Sequence, residues 1–175
     1  DDFYLVSENP FFRSPVFGLE VFRHYLFFES FSTYYRPIQN WSYMLDYWIW
    51  GGNPIGYHLT NILLHSVSGW LLFLLLRRLL LSLCSAAQGA KTGNHGLVAL
   101  LVAVLWIVHP VHNAAVAYIS GRADSLASLF ALTGWLLLLR SFDVNQRWSK
   151  AACAGLAALS MLVALCSKEI ALIWL

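Results

Sequence analysis

The chain alternates between long apolar stretches and short polar ones. Four stretches, at residues 57–81, 96–112, 123–140 and 150–167, consist mainly of apolar residues, and a further apolar run begins at residue 170. A helix needs about 20 mostly apolar residues to cross about 30 Å of hydrocarbon. The pattern therefore predicts an all-α fold, a polytopic bundle of transmembrane helices over residues 57–175.

Residues 1–56 differ from the rest of the chain because they are too polar to cross a membrane and unusually rich in aromatic residues. Trp and Tyr favour the headgroup zone, where a ring is buried while its polar edge stays hydrated. We predict two short amphipathic helices lying at the membrane interface, over 17–28 and 38–50. Pro37 suits the start of the second helix, and the turn sequence over 51–54 ends it.

The composition narrows the functional classes. Hydrophobic residues make up 59% of the 175 residues and charged residues only 11%, with a net charge of +2, whereas soluble domains carry about 25% charged residues. This excludes a disordered chain, a nucleic-acid-binding domain and an ordinary soluble enzyme. Three cysteines are too few for a disulfide framework or a zinc site. The chain starts without Met and stops inside an apolar run, so we expect it to be a fragment of a larger membrane protein.

The distribution of charge predicts which loops lie on which side. The loops over 79–95 and 140–150, with the adjacent helix ends, are rich in Lys and Arg and contain one acid, Asp143. Short loops of this kind stay in the cytoplasm. The N-terminal segment, residues 110–124 and the Lys168–Glu169 junction are therefore predicted to face the periplasm or an organelle lumen. Multi-pass insertion in either the bacterial inner membrane or the endoplasmic reticulum membrane fits this topology.

Two adjacent carboxylates, Asp1 and Asp2, are predicted to lie at this outer surface. A charged side chain so close to the membrane is energetically costly, which suggests a functional role. One carboxylate raises the proton affinity of its neighbour by like-charge repulsion, which suits a general base. The alternative is a solvated, charged helix end.

Two arginines are candidate anion ligands on the same side. Arg36 follows Tyr35, and a guanidinium there either holds a phosphate bidentately or stacks on the ring. Arg122 follows Ser120, a residue suited to cap the next helix, and helix N-termini attract anions. The alternative for Arg122 is an ion pair with Asp124 within the same loop.

Lys168 and Glu169 sit between two apolar runs. An ionic pair at such a place costs free energy unless its charges are satisfied, and its presence there suggests a functional role. The alternative is an ordinary outward-facing turn between two spans.

Four histidines are predicted to lie near the outer face. Pro110 disfavours helical geometry at His109, so the span should end or bend there. His109 and His112 then serve as metal ligands, as donors to an anion or a substrate hydroxyl, or as structural hydrogen-bond partners. His58 and His65 share one helix face, where they line a cavity or bond to neighbouring helices.

Several of these stretches also form a family pattern. The matching segments are Asp1-Asp2 with Asn9-Pro10, Tyr35-Arg36-Pro37, residues 56–65, His109-Pro110-Val111-His112, residues 117–124 and Ser167-Lys168-Glu169. With them the sequence resembles the polytopic GT-C glycosyltransferases, specifically the transmembrane and tetratricopeptide-repeat (TPR) O-mannosyltransferases and their bacterial relatives. The motifs recur in order through nearly the whole chain.

The resemblance implies a membrane enzyme that moves a sugar, such as mannose, from a polyprenyl- or dolichyl-phosphate carrier to a protein or glycan acceptor hydroxyl on the outer side. By this analogy Asp1 or Asp2 is the base, and Arg36, Arg122 and Lys168 bind the donor phosphate. Further candidate site residues on this side are Tyr35, His58, His109, His112, Asp124 and Glu169.

The expected reaction is an inverting displacement at the anomeric carbon, with the carrier phosphate as leaving group. Because a phosphate leaves readily, we expect no required metal or other cofactor. The expected partners are membrane lipid, the lipid-linked sugar donor and the acceptor, with no nucleic acid. The alternatives from other classes are a transporter or lipid flippase, and a non-catalytic membrane anchor for a repeat domain.

Overall fold

The computed structural model describes residue 22, residues 35–86 and residues 94–174. Helices account for the regular structure within these ranges, which contain no strand, and this confirms the predicted all-α helical bundle. Asp1, Asp2 and nearly all of the helix predicted over 17–28 lie outside the described residues. The five α-helices of ten residues or more and one short helix are α1 (Pro37–Trp50), α2 (Pro54–Ala86), α3 (His95–Val108), α4 (Asn113–Ala117), α5 (Arg122–Asp143) and α6 (Arg147–Ser167).

Helix α1 begins and ends where local chemistry requires it. Pro37 occupies the first turn, where its missing N–H leaves no helical hydrogen bond unmade. Gly51 ends the helix with a φ of 60°, a left-handed conformation that suits glycine, and its N–H donates to the carbonyl of Tyr47. The helix exposes Trp48 and Ile49 and buries a polar face that includes Asp46.

Three helices, α2, α5 and α6, are long and apolar enough to cross a membrane. A fourth span exists if α3 and the helical segment that follows it, bent by 47°, are counted together. Many large apolar side chains on these helices are exposed, among them Leu83 and Leu105, as expected for surfaces that face lipid. Length and composition thus support a multi-pass membrane protein.

The bend lies at the proline identified in the sequence. Helix α3 ends at Val108, His109 takes an extended conformation with ψ near 130°, and Pro110–His112 form one turn of 3-10 helix before α4. The cause is the clash between the proline ring and a helical conformation of the preceding residue. The position of the break therefore follows from Pro110 in the sequence.

Small residues allow α5 and α6 to pack closely. Ala127, Ala131 and Ala164 are buried at this interface. Across it, the Ser160 hydroxyl donates a 2.7 Å hydrogen bond to the carbonyl of Phe130. Membrane helices commonly associate through such small-residue contacts and interhelical hydrogen bonds. The α5–α6 pair forms the most extensive helix contact in the described part of the chain.

The connection between α4 and α5 depends on a glycine. A Cβ atom placed on Gly121 would lie 2.0 Å from the carbonyl oxygen of Ala114. No residue with a Cβ atom fits at position 121 without moving the backbone of α4. This close approach holds α4 against the start of α5, where Arg122 begins the helix.

The two ends of the bundle carry different ion pairs. At the end formed by the C-terminus of α5, Arg78 on α2 pairs with Asp143 and donates a hydrogen bond to the carbonyl of Leu139. At the opposite end, residues Glu169–Trp174 form 3-10 helix directly after α6. A fifth span beginning at Ile170 therefore stays a prediction.

Candidate functional site

Two partly exposed ion pairs meet at the C-terminal end of α6. The Arg36 guanidinium, just before α1, binds Glu169 with both Nε and Nη2, at 3.2 and 2.7 Å from the carboxylate oxygens. Lys168 Nζ lies 2.6 Å from Asp124 Oδ1 in the first turn of α5. Since Lys168 and Glu169 are adjacent, this junction joins α6 to both α1 and α5.

A third ion pair lies beside them and is buried. Arg122 Nη2 is 2.5 Å from Asp46 Oδ2, with the two side chains 0% and 5% exposed. The Thr60 hydroxyl donates to the other carboxylate oxygen of Asp46 at 2.9 Å. Burial of two opposite charges is tolerated only when both are paired and hydrogen-bonded.

Further contacts hold the Arg122 guanidinium. Its Nε donates to Asn61 Oδ1 at 2.7 Å, its Nη2 to the carbonyl of Tyr57 at 3.0 Å and its Nη1 to the carbonyl of Ser42 at 3.3 Å. The Tyr43 ring lies 4.8 Å from the guanidinium carbon, within cation–π range. One side chain of α5 is thereby bound to both α1 and α2.

Polar side chains also secure the segment that precedes Arg122. Asn61 Nδ2 donates to the carbonyl of Tyr118, the Tyr43 hydroxyl to that of Ile119 and Gln39 Nε2 to that of Ser120, all at 2.8–2.9 Å. These three consecutive carbonyls lie outside regular helix, and those of Tyr118 and Ile119 also accept the backbone N–H groups of Gly121 and Arg122. The segment is fixed by buried groups on α1 and α2.

This geometry departs from the expectations for Arg122. A guanidinium that is fully buried and held by Asp46, Asn61, Tyr57 and Ser42 cannot also reach a phosphate at the surface. The expected local pair with Asp124 is also not formed, because residues two positions apart on a helix do not face each other. The cap position of α5 is taken by Gly121 rather than Ser120.

Asp46 is the site residue that the sequence analysis missed. The sequence does contain a signal that could have identified Asp46, since Asp46 is the one charged residue in the segment IQNWSYMLDYWIW. An isolated acid in a helix that packs against a membrane bundle requires a cation from another element.

The electrostatic environments of the carboxyl groups outside the spans differ. Hydrogen bonding to Arg36 lowers the pKa of Glu169 below its ordinary value. Burial raises the pKa of Asp46, against the opposing effects of Arg122 and the Thr60 hydroxyl. Glu169 is thus held as an anion, whereas Asp46 relies on Arg122 to remain charged.

The histidines form a ring cluster at the bend. His65 Nε2 lies 3.0 Å from the carbonyl of Ile107 and its ring stacks on Trp106, with centroids 5.0 Å apart. His112 packs against the same Trp106 ring at 4.4 Å. His109 is exposed, and its Nδ1 accepts a hydrogen bond from the N–H of Val111.

The remaining predicted residues are more peripheral. Tyr35 is 47% exposed and its hydroxyl donates to the carbonyl of Phe22 at 2.7 Å. His58 is half-buried on α2. Among the described residues, no group of three His, Cys, Asp or Glu side chains is arranged to hold a metal ion.

The arrangement can bind an anion and position groups around it. Two partly exposed cations, Arg36 and Lys168, are each paired with an exposed carboxylate, and an entering phosphate can replace that carboxylate. The buried Arg122 fixes the helix that carries Asp124. The predicted motifs over 35–37, 117–124 and 167–169 are therefore brought together at one end of the bundle.

Known proteins provide a further comparison. The chain is 37% identical to protein O-mannosyl-transferase TMTC4 of Homo sapiens over 114 residues, or 65% of this chain and 15% of that protein. It is 35% identical to Tmtc1 of Drosophila melanogaster over 74% of the chain and 13% of the relative. It is 37% identical to tmtc2 of Xenopus laevis over 73% and 14%, respectively.

The chain thus spans only 13–15% of the length of these three relatives. No family model matches it. No solved structure matches it either. Over the segment that these matches cover, the chain is related by sequence to the TMTC protein O-mannosyl-transferases.

Proposed function

We propose that this chain is part of a membrane glycosyltransferase that moves a sugar from a polyprenyl- or dolichyl-phosphate carrier to an acceptor hydroxyl on the outer or lumenal side. The observation that carries the proposal is the meeting of Arg36, Asp124, Lys168 and Glu169, from three separate stretches of chain, at one end of the bundle. The names of the relatives, protein O-mannosyl-transferases, agree with this proposal. Mannose is accordingly the proposed sugar.

Arg36 and Lys168 are the proposed ligands of the carrier phosphate. Their side chains are 12% and 23% exposed, and both contact carboxylates that are more exposed than they are. A phosphate brings more negative charge than a carboxylate and accepts bidentate hydrogen bonds from a guanidinium. Binding of the carrier would therefore displace Glu169 or Asp124 from its cation.

The proposed chemistry is an inverting displacement. Asp1 or Asp2 accepts the proton of the acceptor hydroxyl as that oxygen attacks the anomeric carbon, and the carrier phosphate leaves with the bonding electrons. General-base help contributes about 10²–10⁴-fold. A cationic donor aimed at the leaving phosphate contributes about 10²–10³-fold. Glu169, freed from Arg36 by the phosphate, is the second candidate for the base.

Arg122 has a positioning role in this scheme. It does not contact the substrate, but it fixes the start of α5 and therefore the place of Asp124. This role replaces the phosphate contact expected from the sequence.

The test uses the full-length protein in lipid nanodiscs with radiolabelled dolichyl-phosphate mannose and candidate protein acceptors. We expect transfer of label with inverted anomeric configuration, insensitive to EDTA. Combined Asp1→Asn and Asp2→Asn substitution should reduce the rate by about 100-fold or more, and Arg36→Gln should do likewise. Arg140→Gln, an exposed arginine near the end of α5 that carries Asp143, is the matched control and should retain the wild-type rate.

Several outcomes would contradict the proposal. Full transfer by a folded double aspartate variant would remove these residues as the base. Movement of the labelled lipid between leaflets without any transfer would favour a flippase. Loss of transfer with EDTA, restored by a divalent ion, would refute the metal-independent mechanism.

A further inference from the structure

An open cavity of about 420 Å³ lies beside the bend between α3 and α4. Its polar lining comes from His109, His112 and Asn113, and its apolar lining includes Ile107, Val108 and Val116. We propose that this cavity is a sugar subsite that receives the hydroxyl groups of the hexose on the lipid carrier. The inference rests on the proposed function and names the part of the site that recognises the sugar.

The hydrogen bonding of His109 fixes which of its nitrogens is available. Its Nδ1 accepts the N–H of Val111 at 3.2 Å, so in the neutral imidazole the proton resides on Nε2. The ring is exposed at the cavity, and Nε2–H is therefore a donor that a ligand can reach. The extended conformation forced by Pro110 is what turns this ring out of the helix.

The His112 ring is held in place by packing. It contacts both Trp106 and His65, with ring centroids 4.4 and 5.3 Å away, and His65 is itself anchored to the carbonyl of Ile107. Within the described part of the chain, neither ring nitrogen of His112 has a hydrogen-bond partner. A neutral imidazole with both nitrogens unused offers one donor and one acceptor, which is the pair that a sugar hydroxyl can engage.

The lining favours a neutral polyol over an anion. The described residues that line the cavity include no Lys, Arg, Asp or Glu. Asn113 adds an amide that both donates and accepts, and the apolar side chains offer contact to sugar C–H groups. The volume falls in the range of about 300–1,000 Å³ that is typical of small-molecule sites.

The cavity adjoins the ion-paired end of the bundle through a short connection. Asn113 and Val116 belong to α4, and Gly121 packs directly on the carbonyl of Ala114 in that helix. The next residue, Arg122, begins α5, whose first turn carries Asp124. A carrier phosphate bound by Lys168 would thus place its sugar next to α4.

The test compares two lipids that differ only in the sugar, dolichyl-phosphate mannose and dolichyl phosphate. Binding of each to the full-length protein in nanodiscs is measured for the wild type and for His109→Ala, Asn113→Ala and His112→Phe, the last of which keeps an aromatic ring against Trp106. We expect each variant to weaken binding of the mannosylated lipid by about 3- to 10-fold, the effect of one hydrogen bond. Binding of dolichyl phosphate should not change.

The matched control is His95→Ala, which removes an imidazole from the other end of α3 and should alter neither affinity. Equal weakening for both lipids, or no weakening, would overturn the sugar subsite. So would a wild-type protein that binds both lipids equally, or variants that change only the KM for the acceptor. Sugar-dependent binding by a wild type that transfers no mannose would instead count against the proposed function alone.

Discussion

Removal of the negative partner of Arg122 is the most direct test of the site architecture. In an Asp46→Leu variant the guanidinium keeps its hydrogen bonds to Asn61 and the carbonyl of Tyr57 but loses its counter-charge. Because the side chain is 0% exposed, water cannot replace the lost carboxylate. Breaking a buried pair in this way costs about 3–5 kcal/mol.

Replacing Asp46 and Arg122 together should affect stability differently from replacing either one alone. Replacement of a buried ion pair by apolar residues of similar volume is often neutral or stabilising by about 1–4 kcal/mol. We therefore expect the double variant Asp46→Leu with Arg122→Met to be more stable than Asp46→Leu alone. The free energies of the single substitutions should not add, since the residues are in direct contact.

The single variant Arg122→Met adds a pH signature. Without the guanidinium, Asp46 is a buried carboxyl whose raised pKa is no longer opposed by a positive charge. Its folded state then binds a proton at a pH where the unfolded chain has released it, so stability falls as pH rises through the raised pKa. Protonation at low pH should therefore rescue this variant but not Asp46→Leu.

The assay is reversible unfolding of the full-length protein in mixed micelles, repeated between pH 5 and pH 8. Asp143→Asn is the matched control, because it breaks the exposed pair with Arg78 at the opposite end of the bundle. Solvent screens that pair, and its loss should cost about 0–1 kcal/mol. Additive single effects, or an Asp46→Leu variant no less stable than the control, would refute the reasoning.

Three further perturbations test other parts of the structure. Glu169→Gln should lower stability by about 1 kcal/mol or less at pH 7, because solvent screens the exposed pair with Arg36. That difference from wild type should diminish in acid, as pH falls toward the lowered pKa of Glu169; unfolding between pH 7 and pH 3 checks this. Gly121→Ala should destabilise the fold by about 1–3 kcal/mol through overpacking against Ala114, measured by thermal unfolding. Ser160→Ala should cost about 1 kcal/mol in the same assay, by removing an interhelical hydrogen bond.

Features set by local chemistry could be predicted from the sequence. The start of α1 at Pro37, its end at Gly51 and the bend before Pro110 follow from the restricted backbone of proline and the freedom of glycine. The apolar helices follow from composition over about 20 residues. Predicting these features does not require knowing which helices pack against each other.

Features set by tertiary packing could not be predicted in the same way. The sequence predicts that Arg122 binds an anion or pairs with Asp124, its neighbour in sequence. Its true partner, Asp46, is on another helix, and only the fold brings the two together. Whether an arginine is available to bind a substrate or is engaged in structural contacts depends on its burial, which the motifs alone do not give.

The adjacency of Lys168 and Glu169 has a consequence for the length of the chain at this point. Their side chains reach partners on two different elements, Asp124 and Arg36, from consecutive positions after the end of α6. A single inserted residue between Ser167 and Lys168 would displace both charged groups by one step and break both contacts at once. One inserted residue at this junction should therefore have the effect of replacing both charged side chains at once.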